Sequence, residues 1–278
     1  MKAYHPISRL SLWVLGALIV FSCTDTDDQL PQEDVAVLQE NVEVEAAYED
    51  ADMLTLSAMQ SNGFNFRSHL DFKTDICNST KVDFFPNNRA IVINFGEGCT
   101  SPKGVTRKGK IMVYFSALSL EAGTEVLITF DGYEVNGLKL EGRRKIINRG
   151  FNAEGNFFLF ETIISAGKVT WPDGTFSTLE GEFEKKLYLP SDDRGFKVEV
   201  TGGAGGKTRL GIGFISIIEK PLTYFQSCTD KGNWVPSSGS ILLTVGGDSN
   251  FLIDYGNGDC DKKAAVSHNG KTVNLSVD

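Results

Sequence analysis

Thr201-Gly-Gly-Ala-Gly-Gly-Lys207-Thr208 has the outline of a phosphate-cradling loop, a glycine run closed by lysine and threonine. Such a loop needs glycine at its first position and a helix directly after it, whose N-terminus supplies much of the field on the anion. Thr201 occupies that first position, and Arg209–Ile218 (RLGIGFISII) has the β-branched and aromatic content of a strand. The loop is rejected. A serine–lysine acyl-transfer set can be assembled from Ser165-Ala-Gly-Lys168, Ser191-Asp-Asp193 and Lys207-Thr-Arg209. Its second and third parts are one residue off, and ISAGKV reads as a hairpin turn that keeps Ser165 and Lys168 off a common helical face. A triad or histidine-rich metal site would have to use His69 or His268, both near expected turns or strand ends and read as solvent-exposed. Two acids placed for glycoside hydrolysis leave no sequence signature, so that chemistry stays open. Trp171, Trp234 and Tyr133 lie near turns, where they either stack on sugar rings or pack strand ends. No catalytic residue, cofactor or metal ligand is assigned, and the chain is expected not to be an enzyme.

Cysteine is the other reactive side chain. Cys23 follows an apolar run, and four more remain: Cys77, Cys99, Cys228 and Cys260. None forms a C-x-x-C pair, so a metal knuckle has no support. An even set in an exported chain reads as two disulfides, with three pairings open. Val92-Ile-Asn-Phe-Gly-Glu-Gly98-Cys99 is echoed by Leu252-Ile-Asp-Tyr-Gly-Asn-Gly258-Asp-Cys260, and each copy is followed by Gly-Lys, at Gly109-Lys110 and Gly270-Lys271. Each copy also has a second cysteine upstream. A hairpin turning at Asn87-Asn88 sets residue 77 opposite 98 or 99, because antiparallel partners share a constant index sum. A turn near Gly247-Asp248 does not set Cys228 opposite Cys260, so the loop 229–239 would have to fold back. Pairing within each copy, Cys77 with Cys99 and Cys228 with Cys260, would contribute about 3 to 4 kcal/mol per bond by loop closure. The Gly-x-Gly after an aromatic marks a bulge or bend with positive φ. The two corners are read as structural clamps in preference to twin binding tips.

Those residues sit on two compositionally different segments. Residues 23–62 hold eleven acids and no Lys, Arg or Gly, whereas 63–278 balance 25 acids with 25 bases and carry 28 of the 29 glycines. Without a net basic stripe, nucleic acid is excluded as a partner. Thr24–Leu30 reads as a solvated linker. A helix is expected from Pro31, with Glu33 and Asp34 in its first turn and Val35, Leu38, Val42 and Ala46 at helical spacing. The expected layout is a signal peptide over 1–22, an acidic tether with a short helix over 23–62, and an antiparallel β domain over 63–278 with a pseudo-repeat at 77–117 and 228–277.

From Phe64 onward, runs of Val, Ile, Phe, Thr and Tyr alternate with turn signals about every ten residues. The turns include Asn87-Asn88, Ala122-Gly123, Asn136-Gly137, Pro172-Asp173-Gly174, Asp192–Gly195 and Gly246-Gly247-Asp248. Asn136-Gly137 between TFDGYEV and LKLEGRRKII is a strong hairpin signal. Leu179, Phe183 and Leu187 face one way and Glu180, Glu182, Glu184 and Lys186 the other, a solvated sheet face in preference to a cation site. The fold class is all-β: a long antiparallel meander forming a curved sheet, sandwich or partial barrel, with a short N-terminal helix.

The start of the chain supplies an address. Lys2 and Arg9 precede the apolar run Leu10–Phe21, too short to span a bilayer comfortably, and Val20-Phe21-Ser22-Cys23 resembles a bacterial lipobox. That resemblance implies cleavage before Cys23 and acylation of it, and two or three acyl chains anchor a protein stably. The acidic stretch after it resembles the surface-export signal of Bacteroidota lipoproteins. INFGEGCTSPKGVTRKGKIMVYFS, YEVNGLKLEG, VTWPDGTF, VTGGAGG and IDYGNGDCDKKAAVSHNGK together resemble an uncharacterised family of Bacteroidota lipoproteins, over most of 77–278. The family carries no assigned activity and transfers no catalytic residue. The resulting expectation is a lipid-anchored protein of the outer membrane, facing the periplasm or the cell surface, that serves as a non-catalytic binding or structural module, with an envelope protein, glycan or lipid as its ligand. Two alternatives stand beside it: a carrier holding a lipophilic ligand on a concave sheet, and a paired-carboxylate hydrolase acting on carbohydrate.

Overall fold

The computed structural model describes residues 32–64, 72, 75–119 and 121–276. The signal segment, Cys23, the linker Thr24–Leu30 and His69 lie outside these residues. A helix, α1 (Gln32–Ser61), precedes thirteen strands: β1 (Lys81–Phe85), β2 (Ala90–Thr100), β3 (Thr106–Phe115), β4 (Glu125–Val135), β5 (Leu138–Asn152), β6 (Phe157–Thr170), β7 (Phe176–Tyr188), β8 (Lys197–Lys207), β9 (Gly213–Phe225), β10 (Ser238–Val245), β11 (Ser249–Asn257), β12 (Lys263–His268) and β13 (Lys271–Ser276). A four-residue helix, α2 (Gln226–Thr229), sits between β9 and β10. All thirteen strands form one antiparallel sheet in sequence order, an open curved meander.

The turn chemistry acts as expected. Val135 pairs with Leu138 across Asn136 and Gly137, both with positive φ, as a two-residue hairpin of type I′ requires. ISAGKV, by contrast, is no turn: β6 runs straight through it, with a bulge between Ile164 and Gly167 and Ala166 at φ 51°. The glycine run Thr201–Lys207 lies inside β8 and leads through a turn at Thr208–Ile212 into β9, with no helix after it. Bulges recur from strand to strand, at Asn94/Gly96, Lys108/Lys110, Glu141/Arg143 and Val200/Gly203. Each adds local twist, and together they coil the sheet. At Gly109 (φ 74°) the strands approach so closely that a Cβ would sit 2.1 Å from the Gly132 carbonyl oxygen.

The sheet coils around α1. Asp50, Ala51, Asp52, Met53, Leu54 and Thr55 are six buried residues in succession, more than one full helical turn, so this stretch of the helix is covered on every side. Its N-terminal part, Val37 and Leu38, packs with Leu222, Ile241, Leu243 and Ile253 of the later strands. From Val44 to Met59 it packs with Ile91, Ile111, Ile128 and Leu140 of the earlier ones. Residues 32–61, expected within an acidic tether, are therefore the central element of the body. The helix is also longer than expected, at 30 residues. Helical spacing identifies the element, and its carboxylates meet cations of the sheet in place of solvent.

Both disulfides form as the within-copy pairing has it, Cys77–Cys99 and Cys228–Cys260. The first follows from the β1–β2 register, in which Lys81 faces Asn94. The second needs the loop after α2 to fold back, and the Asn233 N–H donates to the Cys228 carbonyl to close that return. The echo is partly geometric: the Gly96 N–H donates to Asn94 Oδ1 and the Gly256 N–H to Asp254 Oδ1, and Phe95 and Tyr255 are both buried. The Gly-Lys pairs do not correspond. Gly109 is mid-strand opposite Gly96, whereas Gly270 makes the β12–β13 turn two strands beyond its own copy.

Candidate functional site at the loop cleft

Two sets of polar residues stand out from this framework. The first is interior. Alternation along β3, β5 and β7 turns Arg107, Arg144 and Lys185 inward, in line with the apolar residues of the same face. Arg107 forks onto Asp50, with Nε to Oδ2 at 2.9 Å and Nη2 to Oδ1 at 2.6 Å, and Tyr133 donates to the same carboxylate at 3.1 Å. Arg144 forks onto Asp52 at 2.5 and 2.7 Å, and Lys185 Nζ donates to Asp52 at 2.9 Å and Glu49 at 2.5 Å. Burial opposes ionisation of Asp52, but the charges and hydrogen bonds of Arg144 and Lys185 outweigh it and hold its carboxyl below the ordinary value. Bidentate, fully paired geometry of this kind fixes the helix against the sheet and leaves no group free to act on a substrate.

Two helix carboxyls behave differently. Burial raises Glu40 to about 7, against the Arg209 N–H that it accepts at 3.0 Å. Burial, with the like charge of Glu49 behind it, raises Glu45 to about 8, and Glu45 Oε2 is buried with no hydrogen-bond partner among the described residues. Both border a space of about 50 Å³ between α1 and strands β5–β10. That is room for a water or two, far below a ligand pocket.

The second set lines a cleft of about 490 Å³ ringed by the β2–β3, β4–β5 and β6–β7 turns and the loops after α2 and β11. The loop after α2 reaches back across the opening to the β2–β3 turn, so close that a Cβ on Gly232 would lie 3.3 Å from Lys103 Cδ. α1 supplies the floor through Ala46 and Ala47, Trp171 and Trp234 supply walls, and Lys103, Lys231 and Lys262 stand on three separate loops. The disulfides brace this arrangement. Cys228–Cys260 ties the Lys231–Trp234 loop to the Lys262 loop, and Cys77–Cys99 closes the base of the Lys103 turn. Asp75 braces that turn further, accepting from the Ser101 hydroxyl and, at 3.2 Å, from the Lys103 N–H.

Trp171 donates from Nε1 to Glu43 Oε2 at 3.0 Å, with the Arg209 guanidinium 4.7 Å from its ring centroid. Trp234 Nε1 is buried and has no hydrogen-bond partner among the described residues. Of the three aromatic residues weighed for sugar stacking, the cleft brings together Trp171 and Trp234, while Tyr133 is fully buried on Asp50. His268 stacks on Phe251 at 4.3 Å and hydrogen-bonds the Asn250 carbonyl, which makes it a packing residue. Glu180, Glu182 and Glu184 are exposed on the outer face of β7. Among the described residues no cluster of His, Cys, Asp or Glu is arranged to hold a metal ion, and no helix is long and apolar enough to cross a membrane. Sequence reasoning missed the three lysines, although each follows a disulfide cysteine within four residues. Comparison with known proteins finds no matching family model, curated protein or solved structure.

Proposed function

We propose that this chain is a lipid-anchored cell-envelope protein that binds a ligand or partner at the loop cleft and performs no catalysis. The observation that carries the reading is the division of space: α1 occupies the concave face of the sheet, while about 490 Å³ stays open between the braced loops. A lipophilic cargo would need the face that the helix fills. A paired-carboxylate hydrolase would need free acids at the cleft, but Glu43 accepts from Trp171, and Asp50 is held by Arg107 and Tyr133. The envelope address rests on the Lys2–Cys23 segment and its lipobox-like end, and two disulfides suit an oxidising compartment.

Native mass spectrometry of the full chain, purified from bacterial membranes in detergent, tests this reading. The expected spectrum shows acyl groups on a chain beginning at Cys23, both disulfides intact, and no bound lipid beyond the covalent anchor. A co-purifying lipid inside the fold would favour the carrier, and an unacylated chain would remove the anchor.

A further inference from the structure

We infer that the cleft is built for an anionic saccharide, a sugar bearing carboxylate or phosphate. This inference rests on the reading that the cleft is the ligand site. The first observation is one of unspent charge. Several lysines elsewhere on the sheet stand beside carboxylates: Lys108 with Glu134 at 3.0 Å, Lys145 with Glu125 at 2.7 Å, Lys197 with Glu199 at 2.7 Å. Lys103, Lys231 and Lys262 have no ion-pair partner among the described residues, although three loops bring them to one opening. The two acids at the cleft, Glu43 and Asp50, are committed to Trp171 and to Arg107 with Tyr133. What the cleft still offers is therefore cationic and hydrogen-bond donating, and the buried Trp234 Nε1–H adds one more donor. A complementary ligand is anionic and rich in acceptors.

The second observation concerns the walls. Trp234 and Pro172 present aromatic and apolar surface beside those donors, with the buried Trp171 and Leu138 packed behind them. An inorganic anion has no use for such surface, whereas a pyranose ring has an apolar C–H face that an indole covers and hydroxyls that accept from its N–H. The volume falls in the range of small-molecule sites. The disulfides hold the lysine-bearing loops in place before binding, which reduces the ordering cost of association.

Calorimetric titration of the detergent-solubilised full chain tests the inference, using a galacturonic acid trimer, glucose 6-phosphate, maltotriose, inorganic phosphate and AMP. One or both anionic sugars should bind, weakening with added salt, and maltotriose should bind roughly ten-fold more weakly or not at all. Whichever anionic sugar binds identifies carboxylate or phosphate as the recognised group. The Lys103→Gln/Lys231→Gln/Lys262→Gln variant should lose roughly ten-fold or more in affinity with an unchanged melting temperature. Trp234→Ala should lose binding, and Trp234→Phe, which keeps the ring and removes the N–H, should bind at a level between Trp234→Ala and the native chain. Equal binding of maltotriose would overturn the charge argument while keeping the cleft. Equal binding of phosphate, or tighter binding of AMP, would overturn the saccharide. Sugar binding untouched by any of these variants would move the site elsewhere and overturn the cleft reading too. No binding of either anionic sugar would overturn the inference alone.

Discussion

At Glu45, burial and the like charge of Glu49 outweigh the pull of Lys185, and the consequence is a pH dependence with a definite sign. Its folded value of about 8 lies above the ordinary 4.5, so the folded chain keeps a proton that the unfolded chain has already released. Stability then declines as pH rises from about 5 to about 8, with Glu40, raised to about 7, adding to the slope. Asp52 works in the opposite sense, its contribution being lost as pH falls below its ordinary 3.8. Thermal melts at a series of pH values should peak near about pH 5, and Glu45→Gln should flatten the alkaline limb and raise the melting temperature most at pH 8. A second residue-scale expectation concerns the forks. Asp52→Ala leaves Arg144 buried without its bidentate partner and should cost about 3 to 5 kcal/mol in urea unfolding. These cations were legible in principle: Lys185 falls between Phe183 and Leu187 on the apolar parity of β7, and Arg144 shares parity with Ile146. Parity located the face but could not show that a carboxylate from another segment lay beneath it.

At the scale of elements, local chemistry was informative wherever a turn or a register decides the geometry. Asn136-Gly137, the β1–β2 register that sets up Cys77–Cys99, and the outward face of Glu180, Glu182 and Glu184 were all readable because their causes are nearest neighbours. ISAGKV reads as a turn but forms a bulge, because the two draw on the same small residues and only the partner strand distinguishes them. The glycines invite a comparison between a strand and the turn beside it. Gly109→Ala must place a Cβ against the Gly132 carbonyl and should cost about 3 kcal/mol or more. Gly104→Ala, also at positive φ but with nothing within 4 Å, should cost only about 1 kcal/mol. Urea midpoints for the pair would show the difference, and equal losses would mean that φ, not strand approach, governs Gly109. Replacing both Cys228 and Cys260 by serine should cost about 3 kcal/mol and free the Lys231–Trp234 loop, seen as a blue or red shift in Trp234 emission.

At the scale of the whole molecule, the compositional boundary near residue 62 is real, but it divides interior from wrapping and not tether from domain. A helix whose acids point in every direction is stable only inside a sheet that returns cations to it. A chain lacking residues 32–61 should therefore fail to unfold cooperatively and should bind a hydrophobic dye, whereas loss of a mere spacer would leave the melt unchanged. The order in which the helix finds its partners carries a further consequence. Asp50 meets Arg107 57 positions downstream, Asp52 meets Arg144 after 92 and Lys185 after 133, and Glu40 meets the Arg209 amide after 169. A nascent chain emerging N-terminus first thus exposes its core helix long before the last strand that covers it exists. Contacts of such long sequence separation make folding slow, and no early fragment has a completed core. Biogenesis of this protein is consequently a waiting problem: its first folded element must be kept from aggregation until almost the whole chain has been delivered.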